Sequence, residues 1–239
     1  ARLLALGPAQ VELALDCGWD GEYTSQNVIG EITGRSRPDE VVLIGAHLDS
    51  WDLGTGAIDD GAGIGITMAA GHLIGKLPKA QRPARTIRVV AFANEEQGLH
   101  GGRAYAQRHL PALRKHQLAA ESDFGAGRIY AFGANVPAHA RAAVAQIAQA
   151  LAPLGIQPRE AGGCGPDLSP FGALGLACAT LAQDGTDYFD LHHTPDDTLD
   201  KIDPAALAQN VAAYTVFAYL AADAQGDFGS APKAAEPAR

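Results

Sequence analysis

Cysteine is scarce in this 239-residue chain. Cys17, Cys164 and Cys178 are the whole complement, and no two form a C-x-x-C pair. That argues against a thiolate zinc knuckle, and the odd, widely spaced set argues against a full disulfide framework. Each cysteine reads as a small buried apolar residue, with a Cys164–Cys178 bridge the one pairing left open. Basic residues are also short. Lys and Arg number 18 against 27 Asp and Glu, a net charge of −9. Binding driven by phosphate contacts is therefore not expected, and no nucleic-acid partner is assigned. No apolar run reaches the ~18 residues a membrane span needs. The chain opens on Ala1, with neither Met nor a leader pattern, so a processed or trimmed product is expected.

What is present is an ordinary core composition, 47% hydrophobic, with 28 Gly for tight turns. Residues 10–16 alternate, with Val11, Leu13 and Leu15 on one face. They predict a half-buried strand pairing antiparallel with a second strand over 27–33. Residues 40–46 and 86–93 are continuous apolar runs, the mark of strands buried on both faces. Residues 61–74 read as a helix whose small residues allow close approach to a sheet. Helices are also predicted over 101–109, 138–151 and 204–222, the last with Asp203 as N-cap and Pro204 at N1. Further strands fall at 117–122, 128–132 and 177–181, and 185–198 is a long polar loop. The alternation predicts a three-layer α/β/α sandwich around a mixed, mostly parallel sheet. One domain is expected over residues 1–224, followed by a flexible, Ala- and Pro-rich tail over 225–239.

The polar residues gather just past these strands. His47 and Asp49 follow the first continuous run, and Glu95 and Glu96 follow the second. Asp123 follows a third strand, and Asp59-Asp60-Gly61 opens a helix. Sites in open α/β sheets lie beyond the carboxyl ends of the strands, and His, Asp and Glu are the nitrogen and oxygen donors that zinc accepts. Two ions close together need a bridging carboxylate, for which Asp59 is the candidate. Asp49, two residues from His47, is better suited to accept the other imidazole N–H and fix the tautomer. Glu95 and Glu96 are adjacent, so one can ligate while the other serves as general base. Taken singly, each motif is more often a turn, a helix start or a solvated surface; their joint order gives them weight.

Several segments together carry a resemblance. They are Gly45-Ala46-His47-Leu48-Asp49-Ser50-Trp51-Asp52, Gly56-Ala57-Ile58-Asp59-Asp60-Gly61-Ala62-Gly63, Asn94-Glu95-Glu96-Gln97-Gly98, Glu121-Ser122-Asp123, and 184–198 with its His193-Thr194-x-x-Asp197-Thr198 pattern. Over residues 27–222 the chain resembles the co-catalytic zinc aminopeptidase family, particularly its carboxypeptidase Q branch and the bacterial relatives of that branch. The resemblance implies two Zn2+ per chain. His47 and Asp123 would hold one ion, Glu96 and His193 the other, and Asp59 would bridge them across a cis Asp59–Asp60 bond. Glu95 would be the general base and acid, with Asp49 supporting His47. Tyr188 and His192 would be candidates for substrate or oxyanion contact; Trp51, Phe171 and Phe189 are candidates for pocket lining, with buried packing the expected role of any one of them. The implied activity is hydrolysis of unblocked peptides by a secreted or periplasmic aminopeptidase or dipeptidase, and a homodimer is left open. Relatives of this branch carry a signal peptide, an upstream portion of the catalytic domain and a protease-associated domain, so the sequence is expected to be the C-terminal catalytic part of a longer precursor. A glutaminyl-cyclase-like single-zinc transferase and a non-catalytic binding domain are the alternative readings on the same fold.

Overall fold

The computed structural model describes residues 7, 8, 10, 12–18 and 20–232. Seven strands form one mixed sheet in the order β1-β3-β2-β4-β7-β5-β6. These are β1 (Val28–Ile32), β2 (Arg37–His47), β3 (Arg85–Phe92), β4 (His116–Glu121), β5 (Ile129–Asn135), β6 (Gln157–Pro158) and β7 (Cys178–Gln183). The helices are α1 (Ala62–Gly75), α2 (His100–His109), α3 (Arg141–Leu151), α4 (Ser169–Leu174), α5 (Tyr188–Leu191) and α6 (Pro204–Asp223). β2 runs parallel to both β3 and β4, and β4 parallel to β7, whereas β1 and β5 run antiparallel to their neighbours β3 and β7.

Successive residues of a strand point to opposite faces, and β2 is buried on both. Val42 and Ile44 pack with Ile66 of α1 and Tyr214 and Phe217 of α6, while Val41 and Leu43 pack with Tyr105 of α2 and Phe171 of α4. That is the three-layer sandwich expected, and it explains why the run at 40–46 shows no alternation. Asp203 caps α6 by accepting the Ala205 N–H at 2.9 Å. By length and apolarity α6 could cross a membrane. Here it is a core helix, with Ala213, Tyr214, Phe217, Ala218 and Ala221 fully buried and Asn210 bonded to Gly127 O and Ala206 O.

The sequence expectations for residues 10–16, 185–198 and 225–239 are corrected where the structure describes them. No strand forms over residues 12–16; Leu13 and Leu15 stay 75% and 72% exposed. The strand at Val28–Ile32 pairs instead with β3, and among the described residues the segment 12–16 has no strand partner and Leu13 and Leu15 have no surface to cover. Residues 225–232 are not a loose tail. Arg85, fully buried, bonds Glu40 at 2.5 Å, Ala224 O at 2.7 Å and Gly226 O. Phe228 is buried, and Ser230 Oγ accepts the Ala177 N–H at 2.8 Å. Residues 233–239, like 1–6, lie outside the described set. The polar loop at 185–198 contains the short helix α5, and Phe171, a lining candidate for which packing was the expected role, sits wholly in the core.

Cys164 and Cys178 form a disulfide. It ties the 159–168 loop to the start of β7, so the two cysteines are a crosslink rather than separate apolar fillers. Cys17 is free and exposed.

At the opposite end of the sheet from the carboxylates, His116 is buried at the start of β4. Its Nδ1 donates to Ala112 O at 3.0 Å, which leaves Nε2 to accept from the Tyr105 hydroxyl at 2.8 Å. Burial, aided by the charge of Arg88, holds its pKa down at about 4. A lowered folded-state pKa contributes stability that is complete above ~6.5 and is lost as pH falls toward 4. Replacing His116 by Asn should lower the Tm at pH 7 and make the fall in Tm between pH 6.5 and 4 shallower than in the parent. Thermal melts at several pH values test this; parallel curves would contradict it.

Candidate metal centre

Parallel strands bring their carboxyl ends to one edge. In the register, His47 at the end of β2 lies beside Phe92, and Gly45 lies beside Glu121 at the end of β4. His47, Glu95–Glu96 and Asp123 therefore converge there, though up to 76 positions separate them in the chain. The turn 57–61 brings in Asp59 at the start of α1, through a cis Asp59–Asp60 bond. The loop after α5 brings in His192 and His193. α1 approaches this closely because Gly63 has no side chain: a Cβ there would overlap Ser122 O and the Asp60 carboxylate.

The resulting cluster is tight. His47 Nε2 lies 3.0 Å from Asp59 Oδ1 and 3.4 Å from Asp123 Oδ1. His193 Nε2 lies 3.1 Å from Asp59 Oδ2 and 2.9 Å from Glu96 Oε2. The two oxygens of Asp59 thus face different imidazoles. His192 stacks on His193 with ring centroids 3.5 Å apart, and its Nε2 is 3.6 Å from Asp59 Oδ2. Three residues at this site, Asn94, Leu99 and His193, have φ of 56°, 58° and 59°. Left-handed backbone in non-glycine residues is strained and concentrates where side chains must be aimed.

Behind the cluster, other carboxylates grip the backbone that carries it. Asp60 accepts the His47 and Gly63 N–H groups, each at 3.1 Å. Asp197 accepts the Ile58 N–H at 2.5 Å and the Asp59 N–H at 3.2 Å. Glu121 accepts the Asp167 and Leu168 N–H groups at 3.1 and 3.0 Å. The expectation for Asp49 is corrected. His47 Nδ1 donates to the Asp49 backbone carbonyl at 2.8 Å, while the Asp49 carboxylate stands 3.8 Å away. That carboxylate instead accepts the Glu95 and Glu96 N–H groups at 2.9 and 3.2 Å. The Asp49 carbonyl thus takes Nδ1, and Nε2 faces the cluster. Tyr188 is buried and stacked on Phe124, with centroids 4.5 Å apart, and burial, then the charges of Asp59 and Asp123, pushes its hydroxyl pKa up.

Sequence reading missed Asp167. It is 1% exposed, and neither carboxylate oxygen has a hydrogen-bond partner. It packs against α2, where a side chain on Gly102 would strike its oxygens. Its only sequence signal was a lone Asp in a Gly- and Pro-rich loop. Glu96 Oε1 is also buried without a partner.

Electrostatics follow from crowding acids in a dry place. Among the described residues no Lys or Arg pairs with this cluster; their ion pairs lie elsewhere. Burial, then the Asp123 charge, raises Glu95 to about 7. Burial, then Glu95, raises Asp167 to about 8. Burial, then neighbouring acids, also pushes Glu121 and Asp60 well up. Burial opposes charge on His47, but hydrogen bonds to Asp123 and Asp59 overcome it and raise its pKa to about 12. Asp59 alone among these acids is lowered, since its contacts with His47 outweigh its burial. The pattern is that of a site short of positive charge.

Groups raised on folding contribute stability at low pH that is lost as pH rises through their folded-state values. Asp167 and His47 act this way between pH 6.5 and 9, where the His116 contribution is already complete and the Asp59 window, below ~4, is not entered. Chelator-treated protein should therefore lose Tm from pH 6.5 to 9. Added zinc should raise Tm most at the alkaline end, because a cation replaces the missing protons. A Tm that is level with pH and unmoved by zinc would contradict this account.

A model described as peptidase family M28 matches residues 27–218. Carboxypeptidase Q of Mus musculus and of Homo sapiens are each 37% identical over 199 residues, 83% of this chain and 42% of theirs. The chain thus spans less than half the length of these relatives. Among solved structures, a peptidase M28 precursor from Shewanella amazonensis SB2B superposes with a TM-score of 0.81 at 53% identity, over 87% of this chain and 47% of that one. A zinc aminopeptidase from Bacillus subtilis shares the fold, with a TM-score of 0.63 at 21% identity over 80% of this chain and 49% of its own.

Proposed function

The chain belongs to peptidase family M28, and from that premise we propose that it is a two-zinc exopeptidase, an aminopeptidase or dipeptidase acting on peptides with a free amino terminus. The observation that carries this is the split of Asp59 between two imidazole groups, with Asp123 on one side and Glu96 on the other. The donors fit zinc in kind, being imidazole nitrogens and carboxylate oxygens only. They also fit in charge, because the cluster lacks cations and leaves Glu96 Oε1 buried without a partner. His47 and Asp123 would hold one ion, His193 and Glu96 the second, and Asp59 both. When bound, zinc supplies Lewis acidity that polarises the scissile carbonyl and makes water easier to deprotonate.

The chain's own residues do the rest. Glu95 is the general base: its backbone N–H is fixed by the Asp49 carboxylate, and its side chain is not drawn into any contact with His47 or His193. Burial beside Asp123 raises its proton affinity into the range where a carboxylate can accept a proton and give it back. Glu95 takes the proton from the attacking water and returns it to the leaving amine. Asp60 and Asp197 hold the backbone on either side of Asp59, so the bridging carboxylate stays in place while charge moves around it. Asp49 acts by positioning Glu95 and Glu96.

In this reading the expected domain over residues 1–224 acts as one catalytic unit, with residues 225–232 packed onto it. The Cys164–Cys178 bridge supports an oxidising, secreted or periplasmic setting.

Glu95→Gln should keep the metal content of the parent yet lose activity on a free dipeptide by about a hundredfold or more. N-acetylation of the substrate should abolish cleavage by the parent. Cleavage of blocked peptides at the same rate, or a Glu95→Gln protein of full activity, would refute the proposal. Cyclisation of an N-terminal glutamine without peptide hydrolysis would point to the transferase alternative.

A further inference from the structure

The acids collect where the parallel strands end, and basic residues collect where those strands begin. Residues 76–88 hold Lys76, Lys79, Arg82, Arg85 and Arg88 and no Asp or Glu. Arg37, at the start of β2, pairs in register with Arg85, and Arg35 donates to Arg82 O at 2.7 Å. Seven of the 18 basic residues therefore fall in two short stretches that meet. The net charge of −9 does not describe this end of the molecule. The 11 residues of β2, Arg37–His47, separate it from the metal ligands by roughly 30 Å at about 3.3 Å per residue.

A cavity of about 630 Å³ lies between the 33–36 turn and residues 79–82. Thr33, Arg35, Ser36, Lys79 and Arg82 line it, and no Asp or Glu does. Its walls are pinned. The Arg35 and Ser36 N–H groups donate to Pro83 O and Ala84 O at 3.0 and 3.2 Å, and the Gly34 N–H donates to Thr86 Oγ1 at 3.1 Å. A Cβ on Gly34 would strike Ala84 O and the Arg85 backbone, so the turn lies flush on that segment. Arg82 donates from Nε to Leu77 O at 3.3 Å and from Nη2 to Gly75 O at 3.0 Å. Arg35 Nη1 bonds the Asp223 carboxylate as well as Arg82 O. Each guanidinium is thus anchored and keeps nitrogens that have no partner among the described residues. Within the same residues neither Lys79 nor Arg82 joins an ion pair. Three cations against the single carboxylate of Asp223 leave two positive charges uncompensated.

We propose that this cavity is an anion site for a phosphate or sulfate group, free or carried as a monoester, held by Arg35, Lys79 and Arg82 with the Thr33 and Ser36 hydroxyls as further donors. Two uncompensated charges match a dianion, whereas a carboxylate would answer only one of them. Guanidinium N–H groups in a fixed fork suit the several acceptor oxygens of such a group, and bonds to an ionised acceptor are the strong kind. The site is open to water, with the Arg35 side chain 38% exposed, so added salt screens it and weakens binding. An occupant would join the β1–β2 turn to the segment that follows α1. Because it binds the folded chain only, it should raise the Tm. The inference is independent of the exopeptidase reading.

The test is calorimetric titration of the metal-loaded protein, at low ionic strength, with inorganic phosphate, inorganic sulfate and glycerol phosphate. Sodium chloride at matched ionic strength is the control. Saturable binding is expected for the dianions and none for chloride. A metal centre also attracts phosphate, so two variants locate the site. Lys79→Glu reverses a charge on one wall and Ser36→Asp adds an acid on the other; both residues are exposed. Each should weaken binding by about tenfold or more while peptidase kcat/KM stays within about twofold of the parent. Either variant alone suffices if the other impairs folding. Binding of the ester as well as the inorganic ions supports a carried group as the ligand, and binding of the inorganic ions alone supports a free one. Affinity unchanged in both variants would put the anion elsewhere and overturn the proposal. So would a parent protein that binds none of the three anions.

Discussion

Buried negative charge must be balanced, and this requirement organises the molecule. Asp59, Asp60, Glu121 and Asp167 are nearly inaccessible to solvent, and Glu95, Glu96 and Asp123 crowd the same edge of the sheet. Each unbalanced charge would cost several kcal/mol in such a place. Balance comes from backbone N–H groups, from imidazoles and, for the remainder, from protons or cations. Asp60, Asp197, Asp49 and Glu121 are served by N–H groups. Asp59, Asp123 and Glu96 meet only imidazoles among the charged side chains of the described residues. Asp167 has nothing. The division separates acids that build the site from acids left over to hold something in it.

The scaffold makes that division possible. Parallel strands β2, β3 and β4 end together, so their following residues meet without long connecting loops. Asp49, Asp197 and Glu121 each grip two N–H groups of one neighbouring segment, and Asp60 grips one at the end of β2 and one at the start of α1, which fixes the backbone where the side chains must be aimed. Asp197 links the loop that carries His193 to the turn that carries Asp59, joining parts of the chain 138 residues apart. Left-handed backbone occurs at Asn94, Leu99 and His193, and directly after Asn94 the Asp49 carboxylate accepts the Glu95 and Glu96 N–H groups. Hydrogen bonds between charged acceptors and backbone donors are stronger than neutral pairs.

Much of this was legible in the chain. The apolar runs at 40–46 and 86–93 could only be strands covered on both faces, and their ends marked where polar residues would collect. The order of His47, Asp59, Glu95–Glu96, Asp123 and His193 identified the groups that converge. What was not legible depended on contacts between segments. Residues 10–16 alternate as a strand does, but no partner edge stands beside the described part of them. Asp49 offers both a carbonyl and a carboxylate near His47, and only the fold decides which one turns toward the ring. Asp167 gains its meaning from packing against Gly102 and Glu121, neither of which is near it in sequence. Cys164 and Cys178 pair because their Cα atoms lie 5.0 Å apart, a closeness that a spacing of 14 does not reveal. Residues 225–232 look like a tail until Arg85 and the Phe228 pocket are seen.

The central claim is that the charge left unbalanced at Asp59, Asp123 and Glu96 belongs to two metal ions. Elemental analysis of protein prepared without chelators, at measured protein concentration, tests it most directly. About two zinc per chain are expected, falling to about one when either His47 or His193 is replaced by Ala. One zinc or none in the parent protein would contradict the claim.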